Sequence, residues 1–182
     1  MPIARPRDVL DFWFGAGPEK WFAKEDAFDA EIRRRFGDTH KAACEGRLDD
    51  WSRDAQGALA LVIVLDQFSR NLHRDDHRAW LNDDKALALA REAIRRRFDV
   101  EVPETARRWF YLPFMHAEDT DAQRESLHYH ATRLGDAEVM HYAEEHADII
   151  RRFGRFPHRN AALGRETTPE EQAFLDAGGF AG

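Results

Sequence analysis

An unbroken apolar run, ALALVIVL at residues 58–65, lies inside the stretch 57–74, GALALVIVLDQFSRNLHR. The polar residues that follow it at once include Asp66, Gln67, Arg70 and Asn71. An apolar run of this length is compatible with a buried strand or a buried helix. We predict a helix over residues 55–72, because that span contains no proline and the chain offers no second strand for pairing. The stretch is then a core helix with one polar end, around which the other elements pack.

Apolar positions at helical spacing recur on both sides of this core helix. They predict further helices over residues 6–14, 25–46, 83–98, 103–112, 121–134, 137–153 and 169–177. Pro113 removes an amide donor and disfavours helical geometry at Leu112, so we predict a kink or break there. The final helix opens with Thr168 as N-cap and Pro169 at the first helical position, and Glu171 completes a capping box.

Every predicted element is helical, which predicts an all-α fold. The connections are mostly short, and short connections place neighbouring helices antiparallel. We therefore predict a stack of antiparallel helical hairpins forming a single domain over residues 1–182. No strict 34-residue tetratricopeptide repeat can be read from the sequence.

Composition narrows the classes of protein. Hydrophobic residues make up 43% of the chain and the net charge is −7, which favours a folded domain and argues against a general nucleic-acid binder. Cys44 is the single cysteine, so no intrachain disulfide and no cysteine cage for a metal can form. No apolar stretch approaches the roughly 18 residues that span a bilayer. These features predict a cytoplasmic protein with no membrane and no nucleic-acid partner.

The polar end of the core helix has two interpretations. Asp66 and Arg70 are four residues apart, as are Gln67 and Asn71, so each pair shares a helix face. Because the preceding turns are apolar, these groups need partners once they are buried. Either a structural polar network or a ligand site satisfies that need, and the sequence leaves both open.

A second candidate follows Pro113. His116 and Glu118 suit an acid/base pair, since histidine titrates near neutrality and a carboxylate tunes its pKa. Residues two apart do not face each other in an α-helix, so the pair requires irregular backbone there.

The nine histidines do not predict a metal site. His128 and His130 are two apart and His141 and His146 are five apart, so neither pair shares a helix face, and no HExxH run occurs. The chain also lacks GxSxG, P-loop and GxGxxG motifs. We expect no metal and no cofactor.

A basic loop precedes the final helix. It contains Arg155, His158, Arg159 and Asn160 and continues to Arg165. Arginine forks beside the amides of a helix start suit a carboxylate or phosphate. Alternatively, the arginines reach back to buried carboxylates and fasten the C-terminal helix, and the sequence favours neither interpretation.

Four motifs occur in the order of a known family. They are VLDFWF at 9–14, LDQFSRN at 65–71, YLPFMHAE at 111–118 and RFGRFPHRN at 152–160. With these motifs the chain resembles the bacterial family named domain of unknown function 924 over nearly its whole length. The resemblance implies an all-α, tetratricopeptide-like right-handed superhelix of about eight or nine helices. It implies no reaction.

The family pattern includes a set of polar residues at matching positions. They are Asp66, Gln67, Arg70, Asn71, His116, Glu118, His146, Arg155, His158, Arg159, Asn160 and Arg165. Ser69 departs from the pattern, where proline is expected more often.

Three hypotheses for function follow. The first is a polar pocket on a helical stack that binds a small anionic ligand or a peptide carboxylate. Its ligand-binding residues would be Gln67, Arg70, Asn71, His146, Arg155, Arg159, Asn160 and Arg165. The second is a protein–protein interaction module whose polar motifs are structural. The third is a cofactor-free enzyme, whose acid/base candidates would be Asp66, His116, Glu118 and His158. The sequence predicts no oligomeric state.

Overall fold

A computed structural model describes residues 2–180 of the chain, and every regular element in that range is a helix. The predicted all-α fold is confirmed. Eight of the α-helices between residues 2 and 180 contain eight or more residues. The tetratricopeptide-like superhelix stays a prediction.

Contacts between residues divide the chain into two compact units. The N-terminal unit comprises residues 2–74 and 78–113, and the C-terminal unit comprises residues 75–77 and 114–180. The single domain over residues 1–182 stays a prediction.

The helices of the N-terminal unit occur in the following order. They are α1 (Pro6–Ala16), α2 (Pro18–Trp21), α3 (Asp26–Cys44), a 3₁₀ helix (Asp49–Arg53), α4 (Ala55–Ile63), a π-helical turn (Val64–Phe68), α5 (Ser69–Leu72), α6 (Asp83–Arg95), α7 (Phe98–Glu101) and α8 (Glu104–His116). A short 3₁₀ turn, His77–Ala79, precedes α6, and the last three residues of α8 belong to the C-terminal unit.

The core helix over residues 55–72 is confirmed. It consists of α4, the π-helical turn and α5 in succession, and the Asp54 carboxylate caps it by accepting the Gly57 amide at 2.9 Å. A side-chain carbon at Gly57 would lie 2.1 Å from the Trp51 carbonyl oxygen, so only glycine allows this helix to pack so closely on the preceding 3₁₀ helix. The core helix also packs against α1, α3, α6 and α7.

Aromatic side chains fill the core beside this helix. Trp13 lies 5.7 Å from Phe68 and 5.1 Å from Trp109 between ring centroids, and all three side chains are buried. Large aromatic groups supply much buried apolar area in a small unit. They fix the helix whose polar end forms the first candidate site.

The C-terminal unit contains α9 (Thr120–Tyr129), a π-helical turn (His130–Leu134), α10 (Ala137–Phe153), a 3₁₀ turn (Pro157–Arg159) and α11 (Pro169–Asp176). Asp119, Asp136 and Thr168 cap α9, α10 and α11 through side-chain oxygens. Helices α9 and α10 pack together. The basic loop therefore lies between two helices, α10 and α11, each of which is capped at its start.

Of the two alternatives predicted at Leu112, a break does not occur, and a kink stays a prediction. Helix α8 continues through Pro113 to His116, so the loss of one amide donor does not end it. His116 is the last residue of α8, and Glu118 lies in the loop before α9. The backbone is thus irregular between His116 and Glu118, as an acid/base pair would require.

Candidate functional site

The polar end of the core helix forms a buried ion-pair network, here named the N-terminal network. Arg70 donates to both carboxylate oxygens of Asp83 at 3.0 Å and lies 3.0 Å from the Asp66 carboxylate. Gln67 donates to the other oxygen of Asp66 at 2.5 Å. Burial opposes the charge of Arg70, but Asp66 and Asp83 outweigh that effect and raise its pKa. These contacts join the core helix to the start of α6.

The same network extends to α3. Asn71 donates to the Asp29 carboxylate at 2.7 Å, and Arg74 forms a two-pronged ion pair with the same carboxylate. Arg74 also donates to the Ala23 carbonyl at 3.0 Å. Asp29 is buried, so its charge is stabilised by these donors. The contacts of Arg70 and Asn71 are those of a structural network.

A cluster that the sequence did not reveal lies beside this network. The His40 Nε2 atom lies 2.8 Å from the Ser69 hydroxyl and 3.6 Å from the Cys44 sulfur. Asn82 donates to that sulfur at 3.2 Å. Burial, together with the charge of His73, lowers the pKa of His40 to about 4, so this imidazole is neutral at pH 7. His40 and Cys44 share the same face of α3, but no polar run in the sequence marks them.

In the C-terminal unit, Glu118 is the centre of a second network, here named the C-terminal network. Arg165 grips both carboxylate oxygens of Glu118 at 2.6 and 2.9 Å, and the Phe156 amide donates to one of them at 2.8 Å. Arg165 also donates to the Asn160 side chain at 3.0 Å. Burial opposes the ionisation of Glu118, but the bonds from Arg165 and Phe156 outweigh it and lower its pKa. Glu118 is therefore ionised at pH 7.

Arg155 pairs with a different carboxylate from that of Glu118, namely the carboxylate of Glu171. It donates to both oxygens of Glu171 at 2.6 and 2.8 Å, and Asn160 donates to the same carboxylate at 3.2 Å. The capping box is present, since Glu171 also accepts the Thr168 amide at 2.8 Å. The bond from Arg155 lowers the pKa of Glu171 to about 2, against the opposing effect of burial. Arg155 and Arg165 therefore fit the interpretation in which arginines of the basic loop pair with carboxylates and fasten the final helix.

Arg159 is positioned differently from these two arginines. Its guanidinium lies over the Phe156 ring at 4.5 Å and donates to the His116 carbonyl at 3.0 Å. It is 6% exposed, so its charge is largely removed from water. Arg159 also helps to lower the pKa of Glu118 through its charge.

Three histidines lie in the same part of the C-terminal unit, and we name His116, His146 and His158 the histidine cluster. The rings of His116 and His146 lie 6.4 Å apart, and the Phe156 ring lies 5.5 Å from His146 and 5.8 Å from His158. The Nδ1 atom of His146 donates to the Tyr142 carbonyl at 2.7 Å, which leaves Nε2 as the acceptor of the neutral ring. The cluster brings together side chains from α8, α10 and the basic loop.

The pKa of His146 depends on its burial and on the charges around it. That pKa is lowered to about 3, mainly by burial and also by the charges of His116, Arg159 and His158, against the bond to Tyr142. His146 is therefore neutral at pH 7 because its surroundings are both buried and electropositive. An anion placed there would offset the second cause.

Two classes of site have no counterpart between residues 2 and 180. No group of three or more His, Cys, Asp or Glu side chains in that range is arranged to hold a metal ion. In the same range, no helix has the length and apolar character that a bilayer crossing requires.

The twelve residues named from the sequence fall into two groups. Asp66, Gln67, Arg70 and Asn71 belong to the N-terminal unit, and the other eight belong to the C-terminal unit. Sequence reasoning missed the carboxylates that receive the arginines, Asp29, Asp83 and Glu171. For Glu171 the capping-box position gave a signal, whereas nothing near Asp29 or Asp83 distinguishes them from ordinary surface acids.

Comparisons with known proteins agree with this description. The family model described as "Bacterial protein of unknown function (DUF924)" matches residues 9–179. A solved structure, described as that of a protein of unknown function, ATU0120, from Agrobacterium tumefaciens, is 48% identical to this chain, with a TM-score of 0.91. The similarity covers 94% of this chain and 97% of that one. No curated protein matches the chain.

Proposed function

The chain belongs to the bacterial protein family DUF924, and from that premise we propose that its C-terminal unit binds a small carboxylate or similar anion at the histidine cluster. The observation that carries the proposal is that His146, His158 and Arg159 each lie against the buried ring of Phe156, with His116 beside His146.

Electrostatics supports an anion at this position. Arg159 is the guanidinium of the basic loop that lies on an aromatic ring, while Arg155 and Arg165 each grip a carboxylate with two donors. Burial is the main reason that His146 is neutral, and a ligand anion would offset the smaller effect of the charges of His116, Arg159 and His158. Where the anion raises the pKa of His146, binding takes up a proton and becomes tighter as the pH falls towards that raised pKa.

The proposal is tested by titrating acetate and phosphate into the protein while the histidine C–H signals are followed by NMR. We expect shifts at His146 and His116, and an affinity that rises as the pH falls. Arg159→Gln should weaken binding about tenfold or more, because a buried charge-assisted contact is lost. The matched control is Arg70→Gln, the same change in the N-terminal network. Its affinity should equal that of the wild type.

Equal affinities of the Arg159→Gln and wild-type proteins would overturn the assignment. So would the absence of any histidine shift with both anions.

The ion pairs inside the N-terminal network favour a second candidate function. It is a protein–protein interaction module whose polar motifs are structural. Arg70 and Arg74 are joined to Asp83 and Asp29, as that hypothesis requires of fastening residues. If neither anion binds, this candidate replaces the first. The third hypothesis, a cofactor-free enzyme, fits less well, because Glu118 is held ionised by Arg165 and is a poor proton donor.

Two finer features belong to the same proposal. We infer a reducing, cytoplasmic location because Cys44 is the single cysteine and its thiol is half-buried. We also infer tetratricopeptide-like stacking of the helices from the sequence motifs alone.

A further inference from the structure

A cavity of about 380 Å³ in the N-terminal unit is lined mainly by residues of α1, α2 and α3. That volume lies in the range of sites that hold small molecules. The rings of Phe12 and Phe28 line the cavity and stack nearly parallel, with centroids 5.4 Å apart. Phe28 is buried, whereas Phe12 is partly exposed. The cavity therefore has an aromatic wall.

Gly15 leaves part of this cavity unfilled. It lies in the last turn of α1 without a positive φ, so its backbone does not require glycine. A side-chain carbon built there would meet no neighbouring atom within 4 Å. Glycine is also less favourable than alanine in a helix, so helix stability does not explain this residue. Its consequence is open space that a larger side chain at residue 15 can occupy.

Two cations of the lining lie against the aromatic wall. The Arg35 guanidinium carbon lies 4.7 Å from the Phe12 centroid, and the Lys20 ammonium lies 5.9 Å from the Phe28 centroid. Contact with a ring uses the face of a guanidinium, whereas its N–H donors lie in its plane. Within residues 2–180, neither side chain donates a hydrogen bond or forms an ion pair, so both can receive an anionic group.

Three carboxylates line the same cavity, and they differ in their partners. Glu31 accepts two bonds from Arg34 at 2.6 and 2.9 Å, and Asp11 accepts one bond from Arg7 at 3.4 Å. Glu25 directly precedes α3, and its side chain does not cap that helix. No donor in the described part of the chain pairs with the Glu25 carboxylate. The cavity therefore presents unpaired groups of both signs.

These groups follow one another along one face of α3. Phe28 is three residues after Glu25, and Arg35 is seven residues after Phe28, which are spacings of a shared helix face. At about 1.5 Å per residue, the backbones at Glu25 and Arg35 are about 15 Å apart. Both side chains shorten that gap, and an extended peptide spans about 3.5 Å per residue. The remaining distance suits a chain of two or three residues.

We propose that this cavity binds a short peptide with free termini and an apolar side chain. Glu25 holds the terminal ammonium, Arg35 holds the terminal carboxylate with Lys20 nearby, and Phe12 and Phe28 contact the side chain. A purely anionic ligand would be repelled by the carboxylates of the lining and a purely cationic one by its two cations, whereas a zwitterion satisfies both signs. The site belongs to the N-terminal unit and is independent of the histidine cluster.

The test uses calorimetric titration at pH 6.5, where both termini of a peptide are charged. The probes are phenylalanyl-alanine, its N-acetyl derivative without the positive charge, and its C-terminal amide without the negative charge. We expect the wild type to bind the free dipeptide about tenfold more tightly than either derivative, because each derivative loses one charge-assisted contact.

Two charge-removing variants assign the termini. Arg35→Gln should weaken binding of the dipeptide and of its N-acetyl derivative about tenfold, and leave the amide unchanged. Glu25→Gln should weaken binding of the dipeptide and of the amide, and leave the N-acetyl derivative unchanged. In each variant the unaffected derivative is the internal control for an intact cavity.

Gly15→Leu tests the cavity itself. The added side chain occupies the open space, and we expect at least about a tenfold loss of affinity for the dipeptide. Gly37→Leu is the matched control, because Gly37 lies in α3, also has open space around it and does not line the cavity. Its affinity should equal that of the wild type. Thermal unfolding of each variant confirms that it is folded.

Four results would overturn the inference. They are no binding of the dipeptide to the wild type, equal affinity of the wild type for the dipeptide and both derivatives, equal losses for all three probes in Arg35→Gln or Glu25→Gln, and equal losses in Gly15→Leu and Gly37→Leu. None of them bears on the anion site, which is tested by different probes and by Arg159→Gln.

Discussion

The N-terminal and C-terminal networks use the same residue types with opposite charge balance. In the N-terminal network three carboxylates meet two guanidinium groups, on Asp29, Asp66, Asp83, Arg70 and Arg74. In the C-terminal network two carboxylates meet three guanidinium groups, on Glu118, Glu171, Arg155, Arg159 and Arg165. The histidine cluster adds three further basic groups beside the second network.

This difference distinguishes a network that stabilises the fold from one beside which we propose that an anion binds. A buried arginine with a carboxylate at each side contributes mainly to fixing one helix against another. An excess of cationic over anionic groups raises the local positive potential, which favours an anion nearby. We propose that arginines serve two purposes in this protein, fastening helices in the N-terminal network and favouring an anion in the C-terminal unit.

The largest expected effect comes from removing one carboxylate from each network. Glu118→Gln leaves Arg165 and Arg159 without their shared carboxylate, and we expect it to lower the free energy of unfolding by about 3 kcal/mol. Asp66→Asn should cost only about 1 kcal/mol, because Arg70 keeps Asp83.

Urea unfolding followed by circular dichroism measures both costs. All five tryptophans precede residue 114, so their fluorescence reports on the N-terminal unit alone. The matched changes Glu118→Gln and Asp66→Asn remove one charge each without changing shape. Equal losses of stability in the two variants would show that charge balance does not distinguish the networks.

The second effect is a dependence on pH that both units share. His40 and His146 have pKa values lowered to about 4 and about 3, whereas an unfolded histidine titrates near 6.5. Between those values the unfolded state binds more protons, so stability falls as the pH falls below about 6.5. We expect each histidine to contribute a loss of about 2 kcal/mol between pH 7.5 and pH 5.

The effect of an added anion on stability distinguishes His146 from His40. Acetate or phosphate should reduce the acid-induced loss of the wild type, because a bound anion favours protonated His146. In His146→Gln both the contribution of His146 and the protection by anion should disappear. His40→Gln should lose the contribution of His40 and keep the protection. Identical protection in the two variants would place the effect outside the histidine cluster.

The smallest effect concerns the helix caps. Asp54→Ala and Thr168→Ala each remove a side-chain acceptor from a helix start, and each should cost about 1 kcal/mol. Thr168→Ser retains the acceptor and should leave the stability nearly unchanged, because serine caps a helix at least as well as threonine. Amide hydrogen exchange locates each loss. Faster exchange is expected in α4 for Asp54→Ala and in α11 for Thr168→Ala, and faster exchange in both helices for either variant would contradict independent capping.

Much of the fold could be predicted from the local spacing of apolar and polar residues. The core helix over residues 55–72 and the capping box of α11 depend on residues close together in the chain, so spacing alone predicted them. The break that was one alternative at Leu112 does not occur, since α8 continues through Pro113 to His116. The π-helical turns at Val64–Phe68 and His130–Leu134 have no recognised signature in the sequence.

By itself, the sequence predicted the helices and several polar residues of the two networks, but not the carboxylates Asp29 and Asp83. It could not determine their partners, because Arg70 meets Asp83, Arg165 meets Glu118, and Arg155 meets Glu171 across separations of 13, 47 and 16 residues. Whether an arginine joins two elements of the fold depends on the carboxylates that folding places beside it. Only the tertiary structure decided that, because electrostatic energy depends on distance in space and on burial.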